Sequence, residues 1–279
     1  MPRAWHAPDL RSGGKIAWGV SQSKHCRVTY LDVDSARMRT PGGPLNTRVD
    51  RIIRWGLSLG LCAAGVVGTH LWLRWPDVTT VGAANPASAA VVARAHAEGV
   101  AVSQAWTPMD QISPQLALAV LVAEDIEFFQ HRGFSVAEMR IAMDQAREGG
   151  RIRGASTITQ QLAKNLWLSG DRTLARKVRE ALLAVDLERF LTKRRILELY
   201  LNVVPFGPGV FGAEAAARRY FGKPALFLTE LESAQLAAAL TRPSRWYPGV
   251  TAADYTERVE LIRRRMTNAE FLWRHLLRI

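Results

Sequence analysis

Cysteine is nearly absent from this sequence. The 279 residues contain only Cys26 and Cys62, which lie in different segments, so no disulfide framework is implied. No internal repeat and no cluster with metal-ligand spacing is present. Few segments show the period-two alternation of apolar and polar residues that is typical of β-strands. These absences argue against a disulfide-stapled domain, a repeat protein and a mainly β-stranded fold.

Acidic residues are also scarce, with 25 Asp and Glu against 37 Lys and Arg and a formal net charge of +12. This excess indicates an anionic partner, which by itself could be a nucleic acid, a membrane surface or a phosphate group. Because 48% of the residues are apolar, the chain can form a core. Residues 1–54 lack a sustained apolar period and are interpreted as a basic, mostly irregular tail on the cytoplasmic side of a membrane.

Residues 55–73 form an uncharged apolar run, close to the roughly 20 residues that a transmembrane helix requires. Trp55, Trp72 and Trp75 lie near its ends, where indole rings favour the membrane interface. Basic residues crowd its N-terminal side: Arg48, Arg51 and Arg54. The positive-inside rule therefore predicts a single span with residues 74–279 outside the cytoplasm.

Two alternatives to a membrane span are a cleaved signal peptide and a buried core helix. A signal peptide fits poorly, because 54 residues precede the run. A core helix would be amphipathic, whereas this run is apolar on nearly all faces.

Helical periodicity dominates the sequence from residue 113 nearly to its end. Ser113-Pro114 predicts an N-cap followed by proline at the first helical position. Thr229 and Glu232 match a capping box at the start of a later helix. The prediction is an all-α domain over residues 113–279, with residues 74–112 as a linker and the start of the domain.

The first stretch with chemical potential begins at Glu124 and Asp125. On a continuous helix, Glu124, Phe128 and His131 would fall at i, i+4 and i+7 and share one face. A carboxylate that is shielded from water has a raised pKa and can act as a general base or acid. Taken alone, this stretch is better explained as a solvated helix end with ordinary capping charges.

The second stretch, GASTITQQLAKN over residues 154–165, is dense in hydroxyl and amide groups. Ser156, Gln160 and Lys164 suit sugar and phosphate oxygens, and a helix N-terminus adds backbone donors for an anion. An ordinary N-cap with polar residues facing water explains the same pattern equally well.

The third stretch places four cations before an acid. Arg172, Arg176, Lys177 and Arg179 are followed by Glu180. Such a cluster could clamp a pyrophosphate, since arginine offers bidentate hydrogen bonds to phosphate oxygens. By itself a charge run of this kind is usually a solvated helix face.

Together, and in this order, the three stretches resemble the signature motifs of the peptidoglycan glycosyltransferase family, whose domain has a lysozyme-like helical fold. The resemblance covers roughly residues 100–245. Because the chain stops at Ile279, no transpeptidase domain fits, and the resemblance implies a monofunctional member. The matching positions are Glu124-Asp125, Phe128, His131 and Gly133, then residues 154–165, 176–188, 196–202 and 220–223.

The resemblance implies a polymerase that joins lipid II units into β-1,4-linked glycan strands, with inversion at the anomeric carbon. It implies that Glu124 is the general base and Glu180 a second essential acid. Lys164, Arg172, Lys177 and Arg179 would surround the diphosphate and sugar. The implied substrate-binding positions also include Asp125, Phe128, His131, Ser156 and Gln160.

No cofactor is required by the sequence, although the resemblance allows a divalent cation, Mg²⁺ or Mn²⁺, that accompanies the substrate diphosphate. The implied partners are lipid II, the growing strand, the membrane, and proteins of cell division or elongation. No nucleic acid is expected as a partner, because the predicted topology places the motifs outside the cytoplasm. The implied location is the bacterial inner membrane, with the catalytic domain periplasmic or extracytoplasmic.

Two other functions stay open at this point. A muramidase or lytic transglycosylase could use a helix-borne glutamate on a similar fold, but cleavage of an uncharged glycosidic bond needs no cation cluster. A catalytically silent scaffold would be expected to lack Glu124 or Glu180, and both are present.

Overall fold

The computed structural model divides the chain into two units, Met1–Leu71 and Trp72–Ile279. Most of the predicted basic tail and one predicted site residue, Arg172, lie outside the described residues. The residues that the structure describes are 47–73, 75–135, 140, 156–171 and 173–278.

The first helix, α1, spans Thr47–Leu73 and contains the apolar segment at residues 55–73. Its apolar side chains include exposed Leu57 and Leu61. Within the described part of the chain, no helix has both the length and the apolar character needed to cross a membrane. The transmembrane span at residues 55–73 stays a prediction.

The second unit is built from helices and one small sheet. Single turns of 3₁₀ helix lie at Met109–Gln111 and Ala225–Phe227. The helices are α2 (Thr80–Ala83), α3 (Ala90–Ala97), α4 (Pro114–Glu124), α5 (Ile158–Trp167), α6 (Leu174–Phe190), α7 (Lys193–Val203), α8 (Ala213–Phe221), α9 (Glu230–Ala239), α10 (Ala253–Thr267) and α11 (Glu270–Leu276). The strands are β1 (Ser103–Gln104), β2 (Pro205–Gly207) and β3 (Val210–Phe211).

Local capping chemistry fixes where several of these helices begin. The Ser113 hydroxyl accepts the N–H of Gln115, and proline follows Ser113 at the first position of α4. At the start of α9, Thr229 and Glu232 exchange the reciprocal hydrogen bonds of a capping box. Both caps confirm the sequence prediction.

The core is centred on α4, which is buried on all sides. Every residue from Leu116 to Val122 is at most 2% exposed. Helices α9, α10 and α11 pack against α4, while α5 packs against α6 and α7. The C-terminal end of α4 therefore emerges from a rigid, apolar environment.

A three-stranded sheet with the order β1-β3-β2 is an addition to the predicted helical architecture. β1 is parallel to β3, and β2 is antiparallel to it. Gly209, in the turn between β2 and β3, has φ +67°, and a Cβ there would lie 2.2 Å from the Ala101 carbonyl oxygen. Because the sheet is so short, the all-α prediction is confirmed in its coarse form.

Candidate active site

Glu124 is the last residue of α4, and a side chain from α5 holds its carboxylate. Gln161 Nε2 donates a hydrogen bond of 2.8 Å to Glu124 Oε2. The Gln161 carbonyl Oε1 accepts from the hydroxyl of Tyr200 on α7 at 3.0 Å. Tyr200 is fully buried, so this chain of hydrogen bonds fixes the orientation of the Gln161 amide and, through it, of the carboxylate.

The neighbouring Gln160, which the sequence analysis placed on the substrate, is held in a helix cap. Its Oε1 accepts the N–H of Thr157 at 3.2 Å, and its own backbone N–H donates to the Thr157 hydroxyl at 3.3 Å. A Thr and a Gln three residues apart are the sequence signature of a capping box. That spacing could have assigned Gln160 to the cap and directed attention to Gln161, which the sequence analysis missed.

Phe128 and His131 do not share a helix face with Glu124, so that sequence prediction was wrong. α4 ends at Glu124, because Asp125 leaves the helical region with φ −163° and ψ 79°. The Asp125 carboxylate accepts the backbone N–H of Ile158 at 2.9 Å and contacts His131 Nε2 at 2.9 Å. These contacts draw the chain away from the helix axis and fasten it to the start of α5.

The remaining residues of the first motif build this loop. His131 Nδ1 accepts the N–H of Gly133 at 3.2 Å, so Nε2 carries the proton that is donated to Asp125. Gly133 has φ +89°, and a Cβ there would press on the backbone of α6. Phe128 is fully buried, with the Lys193 ammonium 4.3 Å from its ring centre.

Glu180 on α6 is the centre of a second charged group. It is 2% exposed and accepts from Arg176 Nη1 at 2.7 Å and from the Lys177 ammonium. Lys177 Nζ also donates to Ser156 Oγ at 2.8 Å. A buried carboxylate needs such partners to remain in place. Arg176 Nε, by contrast, is buried without an acceptor among the described residues.

Lys164 on α5 connects the two acids electrostatically. Burial lowers the pKa of its ammonium, and so do the charges of Arg176 and Lys177, whereas Glu180 and Glu124 raise it. The net direction is downward. The same ammonium therefore lies within the fields of both carboxylates and brings the second and third motifs together with the first.

Arg179 is placed differently from the other cations of the third motif. Its guanidinium carbon lies 5.7 Å from the ring centre of Trp75, whose Nε1 donates to Asp186 at 2.9 Å. The start of the second unit is thus fastened to α6 beside Arg179. Arg172, the remaining predicted cation, lies outside the described residues.

The environment of Glu124 suits a general base. Burial raises the pKa of its carboxyl above the ordinary value, and the Asp125 charge adds to this effect. The Gln161 hydrogen bond and the charges of Arg258 and Lys164 act in the opposite direction without cancelling it. Carboxylates with raised pKa values in such settings are typical of catalytic sites. Arg258 belongs to α10, and the sequence analysis did not select it.

Within the described ranges, no group of three or more His, Cys, Asp or Glu side chains is arranged to hold a metal ion. The Glu180 carboxylate is already paired with Arg176 and Lys177. The donor set around the two acids is therefore cationic and does not fit a protein-held divalent ion.

The raised pKa of Glu124 predicts a pH-dependent gain in stability for Glu124→Gln. Below the ordinary carboxyl pKa of 4.5, both the folded and unfolded states are protonated, and the change should be nearly neutral. Above the raised folded pKa, only the wild-type protein holds an ionised group at this half-buried position, so the variant should have the higher Tm. Thermal unfolding at pH 4 and pH 8 measures the difference, with exposed Glu257→Gln on α10 as the control. An equal Tm shift at both pH values would contradict the prediction.

Together, these contacts form a site that can accept a proton at one end and stabilise negative charge at the other. Glu124 supplies a carboxylate of raised pKa, whereas Arg176, Lys177 and Lys164 supply positive charge around Glu180. This combination suits the attack of a hydroxyl group on a centre that loses an anionic leaving group.

Comparisons with known proteins point in the same direction. The family model described as Transglycosylase matches residues 91–267. A protein named biosynthetic peptidoglycan transglycosylase from Alcanivorax borkumensis is 51% identical over 175 residues, covering 62% of this chain and 70% of the relative. Proteins of the same name from Pseudomonas entomophila and Ralstonia nicotianae are 40% and 41% identical. The aligned regions cover 79% and 78% of this chain, and 90% and 98% of the two relatives, respectively.

The matched region contains both acids, the loop that follows α4 and the cation cluster, so the similarity coincides with the site. By the extent of this match and the identity with its relatives, the chain belongs to the transglycosylase family.

Proposed function

We propose that this protein is a peptidoglycan polymerase, which lengthens β-1,4 glycan strands from lipid II and releases undecaprenyl diphosphate. The names of its relatives support this function. The single observation that carries the proposal is that Glu124, whose carboxyl has a raised pKa, lies beside the cation cluster around Glu180. Lys164 belongs to that cluster and interacts electrostatically with both carboxylates. A lysozyme-like arrangement of the helical domain belongs to the same proposal.

In the proposed reaction, the growing strand is the donor and lipid II is the acceptor. Glu124 takes the proton from the 4-hydroxyl of the acceptor N-acetylglucosamine as that oxygen attacks the donor's anomeric carbon. The new C1–O4 bond forms as the bond from C1 to the diphosphate oxygen breaks. The attack inverts the α-linked donor to a β-linkage, and the bonding electrons leave with undecaprenyl diphosphate.

The positive side chains stabilise the charge that develops on the departing diphosphate. We assign this role to Lys164, Lys177 and Arg179, with Arg176 as a further donor. Arg172 takes the same role by resemblance. A divalent ion, Mg²⁺ or Mn²⁺, would arrive on the diphosphate rather than on protein ligands.

The other motif residues divide by their contacts. Ser156 lies at the cation cluster through its hydrogen bond with Lys177, and we propose that its hydroxyl contacts a sugar or phosphate oxygen of the substrate. We propose that Asp125, Phe128 and His131 contribute to substrate binding indirectly, by shaping the loop that follows α4. Gln160 contributes in the same indirect way, by capping the start of α5.

A muramidase or lytic transglycosylase is the alternative enzyme, and it would act on finished wall rather than on lipid II. Its substrate carries no diphosphate, so the cation cluster around Glu180 would have no leaving anion to stabilise. Purified protein should convert lipid II to polymer and release no soluble fragments from isolated sacculi. Release of fragments without consumption of lipid II would establish the alternative, and inactivity in both assays would favour a silent scaffold.

We propose further that residues 55–73 anchor the protein in the bacterial inner membrane, with residues 74–279 outside the cytoplasm. The outer part has 27 Lys and Arg and 21 Asp and Glu, a net +6 that favours an anionic headgroup surface. An exposed apolar row on α6 is consistent with a lipid environment. This row comprises Leu174, Val178, Leu182 and Val185, which are 82%, 52%, 53% and 45% exposed.

The proposed topology predicts the behaviour of reporter fusions in a bacterial host. Alkaline phosphatase fused after residue 279 should be active, and the same enzyme fused after residue 40 should be inactive, because positive charges keep the N-terminal side in the cytoplasm. A cytoplasmic reporter such as green fluorescent protein, placed at the same two positions, is the control and should give the opposite pattern. Phosphatase activity only at residue 40 would contradict the topology.

Proteins of cell division or elongation are further proposed partners of this protein.

A further inference from the structure

Two arginines of α10 bind the C-terminal end of α4. Arg258 Nη2 donates to the Ala123 carbonyl oxygen at 2.9 Å, and Arg265 Nη1 donates to the Val122 carbonyl oxygen at 3.2 Å. The last carbonyl groups of a helix have no partner within the helix, and cations there also interact favourably with the helix dipole. Glu124 is the next residue after these carbonyls, so α10 holds the turn from which its side chain projects.

The two arginines differ in their relation to the Glu124 carboxyl. Arg258 binds the carbonyl immediately before Glu124, and its charge lowers the pKa of that carboxyl. Arg265 binds one residue earlier. The other groups that face Glu124 are Asp125 from the following loop, Lys164 and Gln161 from α5, and, through Gln161, Tyr200 from α7.

We propose that Arg258 is a positioning residue for Glu124, which fixes the last turn of α4 and supplies a positive charge to the carboxylate. This inference rests on the proposed role of Glu124 as the general base. A guanidinium suits the task because it remains protonated at all relevant pH values and donates several hydrogen bonds from one planar group.

The physical need for Arg258 follows from the partial burial of Glu124. A base has to be ionised before it can accept a proton, whereas burial favours the protonated acid. Lys164 also faces the carboxylate, but burial lowers the pKa of its own ammonium. Arg258 is therefore the neighbour whose positive charge does not depend on pH.

The pH dependence of lipid II polymerisation by the full-length protein tests this inference. In Arg258→Gln, the acid limb of the kcat/KM profile should move to higher pH, which lowers the rate on that limb about tenfold for each pH unit of displacement. Arg258→Lys keeps the charge and should restore most of the wild-type profile. Arg265→Gln removes a comparable carbonyl contact and should leave the limb in place.

If the wild-type protein polymerises lipid II and the acid limb of Arg258→Gln does not move, the inference is overturned and the proposed function stands. An equal displacement in Arg265→Gln would show that only the helix end matters, which also overturns it.

A second measurement does not depend on polymerisation. At pH 8, the gain in Tm from Glu124→Gln should be larger when Arg258 is already Gln than in the wild-type background, because the half-buried carboxylate then lacks the charge of Arg258. The Arg265→Gln background should leave that gain unchanged. Additive effects of Glu124→Gln and Arg258→Gln would contradict the charge coupling even if the wild-type protein makes no glycan and the proposed function fails.

Discussion

Glu124→Gln should lower the rate of glycan polymerisation by roughly two to four orders of magnitude, the usual contribution of general base catalysis. The substitution keeps the side-chain shape and one oxygen that can accept the Gln161 hydrogen bond, but it removes the basicity. Affinity for lipid II should therefore be nearly unchanged. Initial rates at saturating lipid II and equilibrium binding to labelled lipid II measure the two effects separately.

Glu180→Gln is the matched contrast to this change. Glu180 is buried between Arg176 and Lys177, and its loss would leave those cations without their partner. We expect both binding and turnover to fall, because the anion-binding group would lose its arrangement. Normal polymerisation by Glu124→Gln would show that another residue is the general base. Loss of lipid II binding in Glu124→Gln would instead give the residue a structural role.

Lys164→Met should have the second large effect. Methionine retains an apolar stem of similar length but cannot place a positive charge between the two acids. Losing one such interaction with the departing diphosphate removes roughly 2–4 kcal/mol of transition-state stabilisation, a fall of roughly 30- to 1,000-fold in rate. Steady-state rates with lipid II measure the fall, and Arg179→Ala should change them in the same direction.

Lys223→Met is the control for Lys164→Met. Lys223 also forms part of a charged contact, with Glu232 at 2.6 Å, but it belongs to the segment after α8 and has no place in the proposed site. It should retain near-normal turnover. A Lys164→Met protein that folds and polymerises at the wild-type rate would show that Lys164 is an ordinary helix charge.

Much of the helical framework could be predicted because local chemistry determines it. Ser113 followed by proline, and the Thr229–Glu232 pair, specify helix starts through hydrogen bonds within a few residues. The functional motifs were also visible as local runs of unusual composition. Their grouping into one site follows from the packing of α5 against α6, which the resemblance implied but periodicity alone could not supply.

The end of α4 could not be read from the sequence in the same way. The apolar run gives no local stop signal at Glu124, and the observed stop depends on Asp125 reaching the N–H of Ile158, 33 residues away. Arg258 is more remote still, since it binds a carbonyl 135 residues earlier in the chain. Such contacts depend on tertiary packing, so helical spacing predicted a shared face that does not exist.

The most direct test of the central claim is to incubate the purified, full-length protein with lipid II and to quantify glycan and undecaprenyl diphosphate together. Wild-type protein should make β-linked strands and release one undecaprenyl diphosphate for each disaccharide joined, and Glu124→Gln should make almost none of either product. Undiminished lipid II after incubation with folded wild-type protein, or equal product from the wild type and Glu124→Gln, would contradict the claim that Glu124 and its neighbouring cations polymerise peptidoglycan.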